Sequence, residues 1–329
     1  MSLAKKYLIF ISLTIILSSC CRGTCTRDSA DQKLETLDCP ITDRGEKPID
    51  CPWAGIARVL RQTEPKLQYD RLRLHLPTVA NSLTRDSLIT ELRALWGKSI
   101  NFDESAQKPI VDDDVIKTIL ETAQLPPPDA NESGDRVHAG YMHTYAYLFS
   151  LLQTPYGFKR SRWVSGDIEK GLGLAPKIFH PLTEKGSFLA NVTYFAGVLA
   201  FRGSKEATAS IKRLEKVAHP GLWNLDYSKW KPISLVERLP QTEIRTDLLT
   251  FNYPDSKNKY LLIYSYLGRG KSIPKLITIF PIKREQYESS LNTTQLGVNK
   301  PIRSRFNAFI PGVTDSKEPL FGIRKIESL

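Results

Sequence analysis

Beyond residue 51 the chain of 329 residues contains no cysteine. Any disulfide bond or thiolate metal site is therefore restricted to the amino-terminal segment. Zinc is disfavoured even there, because no histidine lies among these cysteines and an oxidising compartment would compete for the thiols. The five cysteines are Cys20, Cys21, Cys25, Cys39 and Cys51.

The common catalytic and nucleotide-binding signatures are absent as well. The sequence has no Gly-x-Ser-x-Gly elbow, no phosphate-binding glycine-rich loop and no dinucleotide fingerprint. Only five histidines occur, and none are spaced like the paired histidines of zinc peptidases. These absences argue against the usual nucleotide-dependent and metallopeptidase classes. We expect no cofactor and no metal ion.

Long apolar runs are missing except at the amino terminus. Lys5 and Lys6 precede an apolar core from Tyr7 to Leu17. This core is too short to cross a bilayer, which needs roughly twenty apolar residues. A charged start, a short apolar core and small residues at the exit predict a secretory signal peptide over residues 1–19.

The end of this segment, Leu17-Ser18-Ser19-Cys20, resembles the lipobox of bacterial lipoproteins. The resemblance implies cleavage before Cys20 and a diacylglycerol thioether on its sulfur, so that the protein is exported and anchored to the cell envelope by lipid. Cys21, not aspartate, follows; in the sorting pattern of some Gram-negative bacteria this implies the outer membrane. The alternative is an ordinary signal peptide with a chance cysteine at its exit.

Lipid on Cys20 would leave four cysteines for disulfide bonds. Two bonds could then form, in three connectivities. The repeated Asp-Cys-Pro around Cys39 and Cys51 makes these two the preferred pair, and free or intermolecular thiols are the alternative. Residues 20–52 show no periodicity and predict a cysteine-containing neck between the lipid and the body, with Cys21, Cys25, Cys39 and Cys51 as the disulfide candidates.

Charge is distributed unevenly along the chain. Residues 20–150 hold 16 Lys/Arg and 20 Asp/Glu, whereas residues 151–329 hold 28 Lys/Arg and 15 Asp/Glu, net charges of −4 and +13. A basic half attracts anionic partners through its long-range field and through counterion release. Outside the cytoplasm such partners are anionic lipids, phosphorylated glycans or envelope proteins, and we expect no nucleic acid. The alternative is that the charge serves solubility alone.

Apolar periodicity in the first half of the body predicts helices. We expect them over residues 54–62, over residues 84–96 before Gly97, and after Asp112-Asp113-Asp114, where acidic residues complement the helix dipole. A helix over residues 136–153 is apolar nearly all round and should be buried. Pro126-Pro127-Pro128 and the following polar connector suggest a boundary near residue 129.

Beyond residue 154 the pattern favours strands. Residues 187–201 are rich in aromatic and branched side chains and predict a strand, with Gly197 as a bulge. A short helix is expected over residues 205–218, and strands over residues 247–253, 259–267 and 275–282. The last two strands flank a predicted hairpin tip, Gly268-Arg269-Gly270-Lys271, and the short connections favour an antiparallel meander. The whole predicts an α+β fold, with a helical region over residues 53–128 and a strand-rich basic region over residues 129–329, either separate or as one continuous domain.

Two groups of residues are candidates for chemistry. Asp135 and His138 share a helix face and could form an orienting acid and a base, with His143 nearby. A helix cap and core histidines are the alternative. Basic residues beside aromatic ones suit anion binding. These anion-binding candidates are Lys159, Arg160, Arg162, Arg269, Lys271, Arg303 and Arg305.

The leading hypothesis is a non-enzymatic envelope lipoprotein whose basic half binds an anionic component or a protein partner. The alternative is a lipid-anchored hydrolase or transferase that uses His138 with Asp135. A purely structural assembly subunit is a third possibility.

Overall fold

The computed structural model describes residues 63–75, 81, 89–97, 101–103, 108–123, 140–150, 152, 158–181, 183–239, 242–250, 260–268, 270, 273–282, 302–303, 323–324 and 326–328. These residues form an α+β fold, as the sequence predicts. The helices are α1 (Pro65–His75), α2 (Ile89–Leu95), α3 (Asp113–Thr122), α4 (Tyr141–Phe149), α5 (Lys159–Val164), α6 (Asp167–Leu172), α7 (Phe188–Ala200) and α8 (Lys205–Glu215).

The main sheet has five antiparallel strands in the order β6-β5-β4-β3-β9. Two further ladders, β1–β2 and β7–β8, have two short strands each. The strands are β1 (Phe102–Asp103), β2 (Lys108–Pro109), β3 (Ile233–Leu239), β4 (Thr242–Thr250), β5 (Tyr260–Gly268), β6 (Lys275–Ile282), β7 (Ile302–Arg303), β8 (Ile323–Arg324) and β9 (Ile326–Ser328).

The predicted antiparallel meander is confirmed by β4, β5 and β6, which are consecutive in the chain and adjacent in the sheet. Tyr266 pairs with Lys275 next to the predicted hairpin tip. β3 was not predicted from the sequence, and its Val236 is buried.

The predicted strand over residues 187–201 is wrong, because this segment is helix α7. Ser187 is the N-cap of this helix, and its hydroxyl accepts a hydrogen bond from the Ala190 amide at 3.0 Å. Twelve of the 13 helix residues are buried. A helix that is buried on every side loses its apolar periodicity and cannot be distinguished from a buried strand by composition.

Other predicted helices agree with the structure in place and type. α3 begins with Asp113 and Asp114 in its first turn, and its predicted apolar stripe is buried. α8 lies within its predicted range, and α2 ends at Leu95, just before Gly97. α4 is buried throughout but ends at Phe149, short of the predicted residue 153. The helix predicted over residues 54–62 lies outside the described residues.

Buried side chains from both sides of the residue 128/129 boundary form one hydrophobic cluster, which extends from Leu72 to Ile282. A hydrogen bond also joins the two sides of this boundary: the Trp96 indole donates to the Thr193 hydroxyl at 2.9 Å. The helices and the sheet therefore share one hydrophobic core.

Strand β6 is also held at its outer side by hydrogen bonds. The register between β5 and β6 shifts at Tyr264/Ser265. Near this bulge the carbonyl oxygen of Leu276 accepts from the Gly97 amide at 2.8 Å, and that of Ile277 accepts from the Gly140 amide at 2.6 Å. These contacts fix the end of α2 and the beginning of α4 against the sheet.

Candidate functional site

Five side chains from four separate elements converge beside helix α5. The Tyr147 hydroxyl donates a hydrogen bond to the Asp103 carboxylate. The Lys159 Nζ lies 3.5 Å from the centroid of the Tyr147 ring and 4.8 Å from that of Phe280. The His143 ring meets Tyr147 edge-on, with 4.8 Å between ring centroids. We call this group, Asp103, His143, Tyr147, Lys159 and Phe280, the Lys159 cluster.

The electrostatics of the cluster favour a neutral amine. Burial, followed by the nearby Arg162, lowers the pKa of Lys159, and Asp103 opposes both; together they bring the pKa to about 7. Burial, followed by the contact with Asp103, raises the pKa of Tyr147, so its phenol keeps its proton. The Lys159 amine is therefore unprotonated at neutral pH more often than that of an ordinary lysine.

Two predicted anion-binding residues, Arg160 and Arg162, lie in the interior. Arg160 donates to the Ser150 carbonyl and stacks on Phe158, with its guanidinium carbon 4.3 Å from the ring centroid. Arg162 donates to the Pro281 carbonyl at 3.0 Å. Both residues thus fasten α5 to its neighbours and position Lys159, which alone among the three is partly exposed.

Of the predicted catalytic residues, only His143 can be located. It is 4% exposed and belongs to the Lys159 cluster. Asp135 and His138 lie outside the described residues, so their pairing stays a prediction. Arg303 lies on β7. The other predicted site residues outside the described part are Cys20, Cys21, Cys25, Cys39, Cys51, Arg269, Lys271 and Arg305.

Surface cations are concentrated on the segment from residue 158 to residue 231. This segment contains 13 Lys/Arg and six Asp/Glu. Ten of the 13 basic residues are exposed, whereas the exposed acidic residues are Glu184, Glu206 and Asp226. The surface of this segment is therefore strongly positive. Its exposed basic residues are Lys170, Lys177, Lys185, Arg202, Lys205, Lys212, Arg213, Lys216, Lys229 and Lys231.

Asn191, on α7, joins three of the segments that carry these cations. Its fully buried amide nitrogen donates to the Ile178 carbonyl at 2.7 Å and to the Lys185 carbonyl at 3.3 Å. Its amide oxygen accepts from the His219 main-chain amide at 2.7 Å. We call this arrangement the Asn191 junction. Exposed Lys177, Lys185 and Lys216 lie in the chain at or within three residues of the joined main-chain positions; these are the junction lysines.

Several of these residues carried little signal in the sequence. Asp103 and Phe280 lie far from Lys159 in the chain, and only the fold brings them together. Asn191 is buried and makes three hydrogen bonds, which make it a structural residue. One signal was present, since a polar residue inside a long apolar run usually marks a hydrogen-bonded core position.

Function has to be inferred from these side chains alone. Comparison with protein-family models, curated proteins and solved structures finds no significant match. Among the described residues, no group of three or more His, Cys, Asp or Glu is arranged to hold a metal ion. No helix in that part of the chain is long and apolar enough to cross a membrane.

Proposed function

We propose that this protein is an exported envelope lipoprotein, anchored through Cys20, and that it acts as a binding module for an anionic envelope component. The lipobox-like Leu17-Ser18-Ser19-Cys20 and the short apolar segment before it support the anchor. The basic C-terminal half supports the anionic partner.

The observation that carries the binding proposal is the Asn191 junction. Its fully buried side chain joins the three segments that carry the junction lysines, which supports a single cluster of cations. Clustered cations bind anionic surfaces with an affinity that depends steeply on salt, because bound counterions are released. A lipid anchor would hold this surface close to an anionic membrane.

The test is co-sedimentation of residues 22–329 with phosphatidylglycerol vesicles and phosphatidylcholine vesicles across a salt series. We expect binding to the anionic vesicles only, weakening as salt rises. The triple variant Lys177→Glu, Lys185→Glu and Lys216→Glu should lose about a hundredfold or more in affinity, since each cation near an anionic surface contributes about 1 kcal/mol.

A matched control carries the same change in charge at exposed lysines of the first half, Lys66→Glu, Lys108→Glu and Lys117→Glu. It should keep most of the affinity. Equal losses in both triple variants would show that net charge alone matters and would contradict the junction as the binding surface. Salt-independent binding, or none, would contradict anionic lipid as the component bound.

The anchor has its own test. We expect the full chain to incorporate radiolabelled palmitate when it is produced in a bacterium, and Cys20→Ser to abolish the label. Cys25→Ser is the control and should keep it. Persistent labelling of the Cys20→Ser variant would contradict the anchor.

A further inference from the structure

Trp223 is a large apolar side chain that lies on the surface, with an exposed fraction of 38%. A single exposed apolar residue is common in proteins, but the surroundings of this one are unusual. It belongs to the segment from residue 220 to residue 231, which also carries two half-buried aromatic residues and three exposed charged ones, Tyr227, Trp230, Asp226, Lys229 and Lys231. Tryptophan and tyrosine next to lysine are typical of residues at a membrane–water interface.

The turn that carries Trp223 is fixed on both sides. Leu222 is fully buried, and its carbonyl accepts a hydrogen bond from the Tyr227 hydroxyl at 2.9 Å. Before it in the chain, the Gly221 amide donates to the His219 Nδ1 at 2.9 Å. The indole is therefore exposed on a turn whose main chain is held by the body of the protein.

The same turn is attached to the Asn191 junction. The Asn191 amide oxygen accepts from the His219 amide at 2.7 Å. A Cβ on Gly221 would lie 3.2 Å from Cδ1 of Ile178, whose carbonyl accepts from the Asn191 side chain. Burial, followed by the charge of Lys185, lowers the pKa of the His219 side chain, which agrees with a junction lysine close to this turn. One buried amide thus holds both the turn with the exposed indole and the segments with the junction lysines.

We propose that Trp223 inserts its indole into the headgroup region of an anionic bilayer while the junction lysines contact the lipid phosphates. This inference rests on the proposed function and names a lipid bilayer as the anionic component. At a membrane surface, burial of apolar area and attraction to anionic lipids both contribute to binding. Salt weakens the attraction between charges but not the burial, so the two contributions can be measured separately.

Fluorescence quenching tests the insertion. Residues 22–329 are bound to phosphatidylglycerol vesicles whose acyl chains carry bromine, which quenches an indole that lies close to it. On binding we expect the tryptophan emission to shift to shorter wavelength and to be quenched more by bromine near the headgroups than by bromine near the chain ends. Trp223→Phe should remove most of this change. Trp230→Phe is the matched control and should keep it, since Trp230 packs against Phe195 with 5.6 Å between ring centroids.

The affinity provides a second readout. Trp223→Ala should weaken vesicle binding about tenfold, from the loss of buried apolar area, and by the same factor at each salt concentration. The triple variant of the junction lysines should instead make the salt dependence less steep, because fewer counterions are released. Leu67→Ala is the control for Trp223→Ala, since Leu67 is also a large exposed apolar residue, at 48%, and it should keep the affinity.

The outcomes distinguish this proposal from the one on which it rests. Vesicle binding without quenching by bromine, or an unchanged affinity of Trp223→Ala, would overturn the insertion of Trp223 and leave the anionic-surface proposal standing. Failure of the original protein to bind the anionic vesicles would overturn both.

Discussion

Gly186 sits at the Asn191 junction in a left-handed conformation, with φ of +69°. A Cβ there would collide with Asn191 Oδ1 and would lie 2.8 Å from the His219 amide nitrogen and 3.0 Å from the Val217 carbonyl. Because two of these three atoms belong to the main chain, the clash cannot be relieved by rotating a side chain.

We therefore expect Gly186→Ala to lower the free energy of unfolding by about 3 kcal/mol or more, from backbone strain and broken junction contacts. Gly203→Ala is the matched control, since Gly203 also has positive φ (+92°) but a Cβ added to it would meet nothing within 4 Å. It should cost only about 1–2 kcal/mol, the strain alone. Urea denaturation measures both, and equal losses would contradict the close packing of the junction.

The buried carboxyl of Glu169 should make the stability of the protein depend on pH. Burial raises the pKa of this carboxyl, the Phe179 amide that donates to it at 2.9 Å opposes the rise, and Asp167 adds to it. A group with a raised folded-state pKa stabilises the fold fully below its unfolded-state value, and the contribution is lost as pH rises through the folded-state value.

We expect Glu169→Gln to remove this loss. The ordinary pKa of this carboxyl is 4.5. As pH rises from there through the raised pKa of Glu169, the free energy of unfolding of the original protein should fall relative to that of the variant. Denaturation at a series of pH values measures the difference. The control is Glu206→Gln at an exposed position of α8, which should follow the original protein. A Glu169→Gln curve parallel to both would refute the buried carboxyl.

Among the elements, the helices with one exposed face were predictable, whereas of the two fully buried helices α4 was predicted as a helix and α7 was not. α3 and α8 have apolar stripes beside charged faces, and their periodicity fixed their type and place. α7 has no polar face, and its composition therefore suggested a strand. Its helical structure depends on packing against the rest of the core. Its Gly197, predicted as a bulge, faces Ile211 of α8 instead.

The α7–α8 contact at Gly197 provides a test of this packing. A Cβ on Gly197 would lie 3.1 Å from both Cγ1 and Cδ1 of Ile211, closer than normal contact. Gly197→Ala should gain about 1 kcal/mol of helix propensity but lose more to crowding, and so destabilise by about 1 kcal/mol.

In an Ile211→Ala background the crowding disappears, and we expect the same Gly197→Ala change to stabilise the protein instead. Urea denaturation of the four proteins forms a double-mutant cycle. An identical effect of Gly197→Ala in both backgrounds would mean that the two helices do not touch at this point.

For the whole molecule, the single hydrophobic cluster predicts cooperative unfolding. Leu72, Leu95 and Ile119 of the first half are fully buried in the same core as Ile263 and Ile277 of the sheet. We expect residues 22–329 to unfold in one transition, with tryptophan fluorescence and far-ultraviolet circular dichroism coinciding.

Residues 129–329 alone should show no cooperative transition, because removing α1, α2 and α3 leaves a large apolar surface exposed. An independently folded fragment would contradict the shared core and would favour two separate domains.

The candidate site was less predictable than the fold. The basic residues of α5 suggested anion binding, but a six-residue helix has too few positions to show which side chains face inward. Arg160 and Arg162 satisfy main-chain carbonyls that are distant in the chain, and Lys159 meets rings from two other elements. Such contacts depend on tertiary structure, which local patterns do not encode.

The outer side of β6 has a consequence for how copies of the protein behave together. An uncovered sheet edge invites a strand from another molecule, and many proteins aggregate in this way. Here the carbonyls of Leu276, Ile277 and Pro281 are already bound by Gly97, Gly140 and Arg162, and Pro281 has no amide hydrogen to offer. Strand addition at this edge would first have to break these bonds, so a high local concentration should not polymerise the protein through β6.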